Sequence, residues 1–435
     1  MNRQNPLVRG TLILTIAGFL TRIIGFFNRI YLSQLIGAKE MGIYQLVFPI
    51  YMIAFACCCH GIELALSQMI ASGKYKRKLV ASASSLSLIG SLFFAALIYL
   101  YADPISIYLL KEESCAICLK LLAPVLPFTA VRCCLHGYYI GKKQTLVPAT
   151  GQLVEQLIRV FVIWLIAASY GHVRTFTASL AVCGMVIGEI AGTIYTFLSY
   201  KIHTKETITD KTNITQQKGF RLPYGKELLK RAIPLTANKL SLTLATSLES
   251  VLIPFMLTFY YKDRTISLSI YGILTGMALP FITFPSTLTN SLSVMLLPAI
   301  SQAHASGNKK QIRHTIENTV KLCLTLGFTA LFLFFFFGKQ LGTSVFHNQS
   351  AGDFLFILSF LCPLLYLSSS GSSILNGLGL MKEAFLYSLT GILIRIGFIL
   401  FAIPVMGIQG YLIGLLAAYL VLVLLQTYKI RRSAL

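Results

Sequence analysis

The sequence between residues 11 and 33 is TLILTIAGFLTRIIGFFNRIYLS. This run is long enough to cross a bilayer as an α-helix, because a spanning helix needs about 20 mostly apolar residues. Similar apolar runs recur to the end of the chain, and no polar stretch between them is long enough for a soluble domain. No small-residue cleavage site follows the first run, so we expect it to be a retained helix and not a signal peptide.

Composition supports the same fold class. Hydrophobic residues make up 55% of the 435 positions and charged residues only 12%, whereas soluble proteins carry about 25% charged residues. The sequence therefore predicts an all-α membrane protein. We expect about twelve transmembrane helices, near residues 9–35, 41–70, 79–101, 116–140, 148–170, 175–200, 228–258, 266–297, 315–337, 351–377, 380–404 and 407–430.

The distribution of lysine and arginine predicts the orientation. Basic residues concentrate in alternate loops, most densely between residues 201 and 231. Because such loops stay in the cytoplasm, we expect both termini to be cytoplasmic in a multi-pass protein of the bacterial cytoplasmic membrane. The net charge of +22 would then face anionic membrane lipids as partners, and we predict no nucleic-acid partner.

The two halves of the chain resemble each other. Ile43-Tyr44 near the second span is echoed by Ile270-Tyr271 near the eighth, and each of these spans ends in an Ala-Ser-Gly motif followed by lysine. Six spans per half predict parallel repeats, an arrangement that transporters use to rock two bundles around a shared cavity. A duplicated scaffold without such a role is the alternative. The predicted division is an N-terminal six-helix bundle, a cytoplasmic linker and a C-terminal six-helix bundle, at residues 1–200, 201–227 and 228–435.

Charged residues at membrane depth are the candidate functional residues, because each costs about 2.5–3.5 kcal/mol at a helix centre and is rarely exposed to lipid. Cations outnumber acids among them. The cations are Arg22, Arg29, Lys120, Arg132, Arg159, Lys239, Lys321 and Arg395, and the acids are Glu63, Glu155, Glu189 and Glu249.

The first helix carries the most informative pattern. An arc of about 80° on its surface contains no bulky apolar residue and holds Thr11, Thr15, Gly18, Arg22, Gly25, Arg29 and Ser33. This pattern is typical of a helix that lines a water-filled cavity. The planar guanidinium groups of Arg22 and Arg29 suit bidentate binding of phosphate. Structural pairing of these arginines with Glu63 or Glu249 is the alternative.

Other candidates have less decisive patterns. Arg132 and Arg395 could extend a basic cavity. Glu155 and Arg159 are spaced i, i+4, which fits a local ion pair as well as a coupling role, and Glu249 is a candidate proton or cation site. In addition, a run of glycines predicts close packing of one helix on a neighbour, at Gly184, Gly188 and Gly192.

Several motifs resemble the stage V sporulation protein B family. They are TRIIGFFNRI at residues 21–30, IGA at 36–38, MGIY at 41–44, GQLVEQLIRV at 151–160, IPL at 233–235 and YGILTGMALP at 271–280. The resemblance covers essentially the whole chain. That family belongs to the multidrug, oligosaccharidyl-lipid and polysaccharide exporter superfamily and is similar to lipid II flippases.

The resemblance implies a MATE-like, V-shaped pair of bundles and alternating access. It also implies a lipid-linked oligosaccharide or peptidoglycan precursor as cargo, held by first-helix arginines in a central cationic cavity. The Arg-x-x-Gly-Phe pattern aligns Arg22 with the first of those arginines. The position of the second falls on Asn28, with Arg29 one residue later.

We therefore hypothesise a flippase for a polyprenyl-pyrophosphate-linked sugar that is reset by a membrane potential or by a gradient of a coupling cation, H+ or Na+, and that needs no cofactor or metal. One alternative is a cation-coupled multidrug exporter of the same superfamily, whose pocket should favour acids over arginines. Another is a membrane glycosyltransferase or ligase. The loops predicted to face outward offer no convincing catalytic pair for it, although they hold Asp103, Glu112, Glu113, Asp263 and Asp353.

Overall fold

The computed structural model describes residues 6–73, 77–170, 176–206, 224–287, 289, 296, 300–301, 303, 306 and 308–434. Helices dominate these residues, and no strand occurs among them. The first group of helices comprises α1 (Pro6–Phe55), α2 (Gly61–Ala71), α3 (Arg77–Leu100), α4 (Cys115–Leu122), α5 (Val125–Gly141), α6 (Leu146–Tyr170) and α7 (Ala178–Glu206). The second group comprises α8 (Gly225–Tyr261), α9 (Arg264–Gly272), α10 (Leu279–Thr283), α11 (Lys309–Phe346), α12 (Gln349–Leu358), α13 (Cys362–Gly377), α14 (Met381–Phe401) and α15 (Ile408–Ala434).

The number of membrane spans follows from helix length and composition. Within the described residues, 10 helices are long and apolar enough to cross a membrane, and the pair α4 and α5, bent by 44°, supplies an eleventh. The first of these spans, Thr15–Ala71, contains 57 residues, which corresponds to about 85 Å of helix and exceeds one crossing. A break divides this stretch into two helical segments that count as separate crossings, so the prediction of about twelve spans is confirmed.

Those two segments meet at Gly37. This residue has φ 77° and ψ 177° inside an otherwise helical stretch, a conformation that glycine adopts without a steric penalty. The sequence predicted one helix that ends near residue 35 and a second that begins near residue 41. The structure instead continues the helix on both sides, so a single residue makes the break.

The described residues divide into two compact units. Unit 1 comprises Met1–Ile24 and Val47–Leu244, and unit 2 comprises Gly25–Leu46 and Ala245–Leu435. This division differs from the predicted bundles in two places, because part of α1 belongs to unit 2 and the later boundary falls inside α8. Most of the predicted linker, residues 207–223, lies outside the described residues.

Close helix contacts at glycines build unit 1. A Cβ atom on Gly137 of α5 would lie 2.6 Å from the carbonyl oxygen of Glu63 on α2. On α7, a Cβ atom at Gly184 would lie 2.5 Å from the Ile163 side chain, and one at Gly188 would lie 2.8 Å from the carbonyl oxygen of Glu155. The predicted close packing at the glycine run is therefore confirmed, and it brings α7 against α6.

Unit 2 has its own apolar core and its own close contact. Ile312, Ile374 and Ile430 pack together where α11, α13 and α15 meet. The segment of α1 after Gly37 approaches α9 so closely that a Cβ atom on Gly42 would lie 2.2 Å from the carbonyl oxygen of Leu268. This contact joins the neighbourhoods of the two echoed Ile-Tyr motifs.

Candidate functional site

A buried ion-pair network in unit 1 centres on Arg132 of α5. Its Nη1 atom donates to Oε2 of Glu189 at 2.8 Å, and its Nη2 atom donates to Oε2 of Glu155 at 2.6 Å. The other oxygen of Glu155 accepts a hydrogen bond from Nη2 of Arg159. All four side chains are at most 17% exposed. Since two cations meet two carboxylates, the network is electrically balanced, as buried charges must be.

Helix packing places these groups within reach of one another. Glu155 and Arg159 lie on α6 and Glu189 lies on α7, while Arg132 reaches both helices from α5. A Cβ atom on Gly192 would lie 3.0 Å from Nη1 of Arg132. The absence of a side chain at Gly192 therefore leaves the space that the guanidinium occupies, and the network links α5, α6 and α7.

Unit 2 contains a second buried pair. Glu249 on α8 accepts two hydrogen bonds from Arg395 on α14, with Nε to Oε1 at 2.7 Å and Nη2 to Oε2 at 2.9 Å. The hydroxyl of Tyr411 on α15 donates to Oε1 of Glu249 at 2.9 Å, and the ring of Tyr419 lies 5.9 Å from the guanidinium carbon. This arrangement links three helices and balances both charges.

These pairs determine what the sequence-predicted residues can do. Arg132 and Arg395 were predicted to extend a basic cavity, but the structure gives both guanidinium groups carboxylate partners, so neither adds uncompensated positive charge. Glu249 was considered as a partner for Arg22 or Arg29 and as a cation site. It is occupied by Arg395 and Tyr411 instead.

Glu63, the other candidate partner for the first-helix arginines, is half-buried on α2. It forms no ion pair with any cation in the part of the chain that the structure describes. Lys120, by contrast, pairs with Asp103 at 2.8 Å, and both side chains are well exposed.

Arg22 has a different environment from the buried arginines. It is exposed and has no carboxylate partner among the described residues. One turn earlier, a Cβ atom added to Gly18 would meet nothing within 4 Å. At Gly18, α1 therefore has no packed neighbour among the described residues, and the cavity-lining role of the arc stays a prediction.

The remainder of the arc is more enclosed. Arg29 is half-buried, and Ser33 is buried with its hydroxyl donating to the carbonyl oxygen of Ile30 at 2.8 Å. Asn28 is only 9% exposed, and its Oδ1 atom has no hydrogen-bond partner. The exposure of the side chains in this arc thus decreases from Arg22 towards Ser33. The side chain of Thr11 lies outside the described residues.

Lys239 is a candidate that the sequence analysis did not assign to a site. It lies about 21 Å along α8 from Gly225, is exposed, and has no carboxylate partner within the described chain. No acidic residue lies three or four positions away from it on the helix, and that isolation was the signal available in the sequence. An unpaired charge is costly in lipid, and Lys239 and Arg22 are both exposed charged residues of unit 1 without a carboxylate partner among the described residues.

A family model described as "Polysaccharide biosynthesis protein" matches residues 7–304 of this chain. The chain belongs to that family. Stage V sporulation protein B of Bacillus subtilis (strain 168) is 27% identical to it over 444 residues, which cover 99% of this chain and 84% of the relative. The resemblance inferred from the motifs is therefore confirmed.

A second relative of this member of the polysaccharide biosynthesis protein family is the lipid II flippase MurJ. The Bacillus subtilis (strain 168) protein is 22% identical over 473 residues, covering 99% of this chain and 84% of the relative. A solved structure described as lipid II flippase MurJ in an inward closed conformation has a TM-score of 0.73 at 16% identity, covering 97% of this chain and 87% of that one.

An inward-facing multidrug resistance MATE family transporter is also similar in fold. Its TM-score is 0.69 at 14% identity, with 95% of each chain covered. The predicted all-α membrane fold of the MATE type is confirmed, and the chain is a multi-pass membrane protein.

Proposed function

We propose that this protein is a flippase that moves a lipid-linked oligosaccharide or peptidoglycan precursor across the cytoplasmic membrane by alternating access. The observation that carries the proposal is the exposed Arg22 on α1, which has open space beside it and no carboxylate partner among the described residues. Membership of the polysaccharide biosynthesis protein family and similarity to a lipid II flippase support the same cargo class.

In this proposal Arg22 binds the pyrophosphate of the cargo. A guanidinium presents paired N–H donors that match two phosphate oxygens, and a hydrogen bond to a charged group contributes about 1.5–3 kcal/mol. Asn28 and Arg29, the other predicted contacts on α1, belong to unit 2, and their role in binding stays a prediction. Lys239 adds a second exposed positive charge in unit 1. The polyprenyl tail remains in lipid, because nothing would be gained by moving it into water.

The buried pairs have a positioning role in this proposal. Arg132 with its carboxylates and Arg395 with Glu249 each link three helices, so they hold α5 to α7 and α8, α14 and α15 in register. Because Glu249 already accepts three hydrogen bonds, a coupling cation would have to displace Arg395. We therefore assign the driving force to the membrane potential acting on the cationic site, not to Na+ or H+ binding at Glu249.

Vesicles test this function directly. Purified protein is reconstituted with a fluorescent polyprenyl-pyrophosphate-linked sugar, and the fraction accessible to an impermeant quencher is followed after a potential is imposed without a Na+ or pH gradient. We expect faster equilibration than in protein-free vesicles, with the lipid recovered chemically unchanged. Equilibration at the protein-free rate would contradict the flippase, and conversion of the lipid to a product would instead support a glycosyltransferase or ligase.

A multidrug exporter is the second candidate function, because the fold is of the MATE type. The unpaired charges on Arg22 and Lys239 oppose it, because they would repel cationic drugs. Raised drug resistance on overexpression, without a change in precursor flipping, would favour the exporter.

We also propose that both termini face the cytoplasm, as the loop charges predict. A fluorescent reporter that folds only in the cytoplasm, fused after Leu435, should be active. An inactive fusion of a well-expressed protein would reverse the orientation.

A further inference from the structure

Unit 2 contains a cavity of about 610 Å³ between α11, α13 and α15. Its volume lies within the range of about 300–1,000 Å³ that is usual for ligand sites. Much of the wall is apolar and includes Leu367, Ile374, Val423 and Ile430. None of the residues discussed for cargo binding lines it.

The polar groups deep in this cavity largely satisfy one another. Gln426 is 2% exposed, and its Nε2 atom donates to the Ser372 hydroxyl at 3.0 Å. The Cys323 thiol and the Ser370 hydroxyl lie 3.1 Å apart. The interior of the cavity therefore suits an apolar occupant, since buried polar groups that are already paired need no further partner.

The rim of the cavity is cationic. It carries Arg313, Lys321 and Arg431 and one acid, Glu317. Glu317 forms an ion pair with Arg313, whose Nε atom lies 2.8 Å from Oε1 of Glu317. Lys321 and Arg431 are exposed. Lys321 lies one turn from Glu317 and interacts with it electrostatically, but neither cation forms a salt bridge among the described residues. The three cations and one acid together leave a net positive charge at the mouth of an apolar cavity.

Helix geometry places this rim at the membrane surface. From Lys321 to the end of α11 at Phe346 is about 38 Å of helix, slightly more than the roughly 30 Å hydrocarbon core. Arg313 lies about 12 Å further out along the same helix. On α15 the lining residues run from Val423 to Arg431, also about 12 Å. A crossing that ends near Phe346 would therefore place the rim cations near headgroup depth, further out than the sequence predicted for Lys321, with the apolar wall towards the hydrocarbon.

We propose that this cavity binds one anionic phospholipid of the cytoplasmic leaflet. Its phosphate lies between Lys321 and Arg431, and part of one acyl chain fills the apolar space between α11, α13 and α15. Charge complementarity selects an anionic headgroup, and the apolar wall selects an acyl chain over free phosphate. The bound lipid would hold α15 to α11 and α13 in unit 2. This site is independent of the proposed cargo site on α1.

Photocrosslinking tests the proposal with the full chain in nanodiscs. The probes are phosphatidylglycerol and phosphatidylcholine with the same photoreactive acyl chain, and crosslinked peptides are mapped by mass spectrometry. We expect phosphatidylglycerol to label peptides of α11, α13 and α15 and phosphatidylcholine to label them weakly. Each cation near a membrane surface contributes about a five-fold effect on binding of an anionic lipid, so Lys321→Gln with Arg431→Gln should reduce labelling about twenty-five-fold.

Arg432→Gln is the matched control, because Arg432 is also exposed but does not line the cavity, and it should retain labelling. Glycerol 3-phosphate in excess should not compete. Equal labelling by both lipids, unchanged labelling in the double variant, or competition by glycerol 3-phosphate would overturn the proposal. Displacement by polyprenyl phosphate at much lower concentration than phosphatidylglycerol would also overturn it, by assigning the cavity to the cargo. Loss of flipping in an Arg22 variant would leave all these results unchanged.

Discussion

Removing the guanidinium of Arg395 should strongly destabilise unit 2. The Arg395→Gln variant leaves the Glu249 carboxylate buried with only the Tyr411 hydroxyl as a donor. The two side chains of the pair are 13% and 9% exposed, so solvent screens them little. Breaking a buried ion pair by removing one partner costs about 3–5 kcal/mol, and we expect a loss of that size in the free energy of unfolding.

The matching double variant separates pairing from loss of packing. Arg395→Gln combined with Glu249→Gln leaves no buried charge, so it should be more stable than Arg395→Gln alone by about 2 kcal/mol or more. Arg231→Gln is the control, because the Arg231–Glu227 pair is 41% and 39% exposed and such surface pairs contribute at most about 1 kcal/mol. Unfolding is measured by titration of mixed micelles with SDS. Equal losses in Arg395→Gln and Arg231→Gln, or additive losses in the double variant, would contradict a stabilising role for the buried pair.

Three further changes have defined outcomes. Arg132→Gln leaves Glu155 and Glu189 close together without their shared cation, so it should lower stability by about 3–5 kcal/mol in the same titration; a loss below about 1 kcal/mol would contradict the network. Gly192→Ala places a methyl group against that guanidinium and should lower the free energy of unfolding by about 1–3 kcal/mol. Gly397→Ala is the control, because nothing lies within 4 Å of a Cβ atom there, and it should stabilise α14 by roughly 0.5–1 kcal/mol. Equal effects of the two changes would contradict close packing at Gly192. Lys239→Gln should slow flipping about five-fold without changing unfolding, and an unchanged flipping rate would remove Lys239 from the cargo site.

The fold was predictable from local information, because an apolar run of about 20 residues has few alternatives to a spanning helix. The run of glycines on α7 likewise predicted a close contact that the structure contains. The break near Gly37 was predicted as a loop over residues 36–40, but its form was not, because a single residue with positive φ is enough to interrupt a helix. The division of α1 and α8 between the units also depends on tertiary contacts that no local pattern records.

The partners of the charged residues were likewise predictable only where they lie close together in the sequence. The Glu155–Arg159 pair could be predicted, because its members lie one turn apart on one helix. The partners of Arg132 and Arg395 could not, since Glu249 and Arg395 are 146 positions apart and their pairing depends on which helix faces meet. The sequence therefore showed that cations outnumber acids at membrane depth, but it did not show which of these cations have a carboxylate partner. Within the described residues the structure assigns partners to Arg132, Arg159 and Arg395 and none to Arg22 or Lys239.

The role of Arg22 in cargo binding is tested by precursor flipping in the Arg22→Ala variant. The variant, the wild type and Arg432→Ala, which removes an exposed arginine at the end of α15, are compared in the vesicle assay at equal protein density and with unfolding measured in parallel. Loss of a charge-assisted contact worth about 1.5–3 kcal/mol corresponds to roughly ten- to a hundred-fold slower flipping. We expect that loss for Arg22→Ala alone, with stability unchanged. Flipping by Arg22→Ala at the wild-type rate would contradict it.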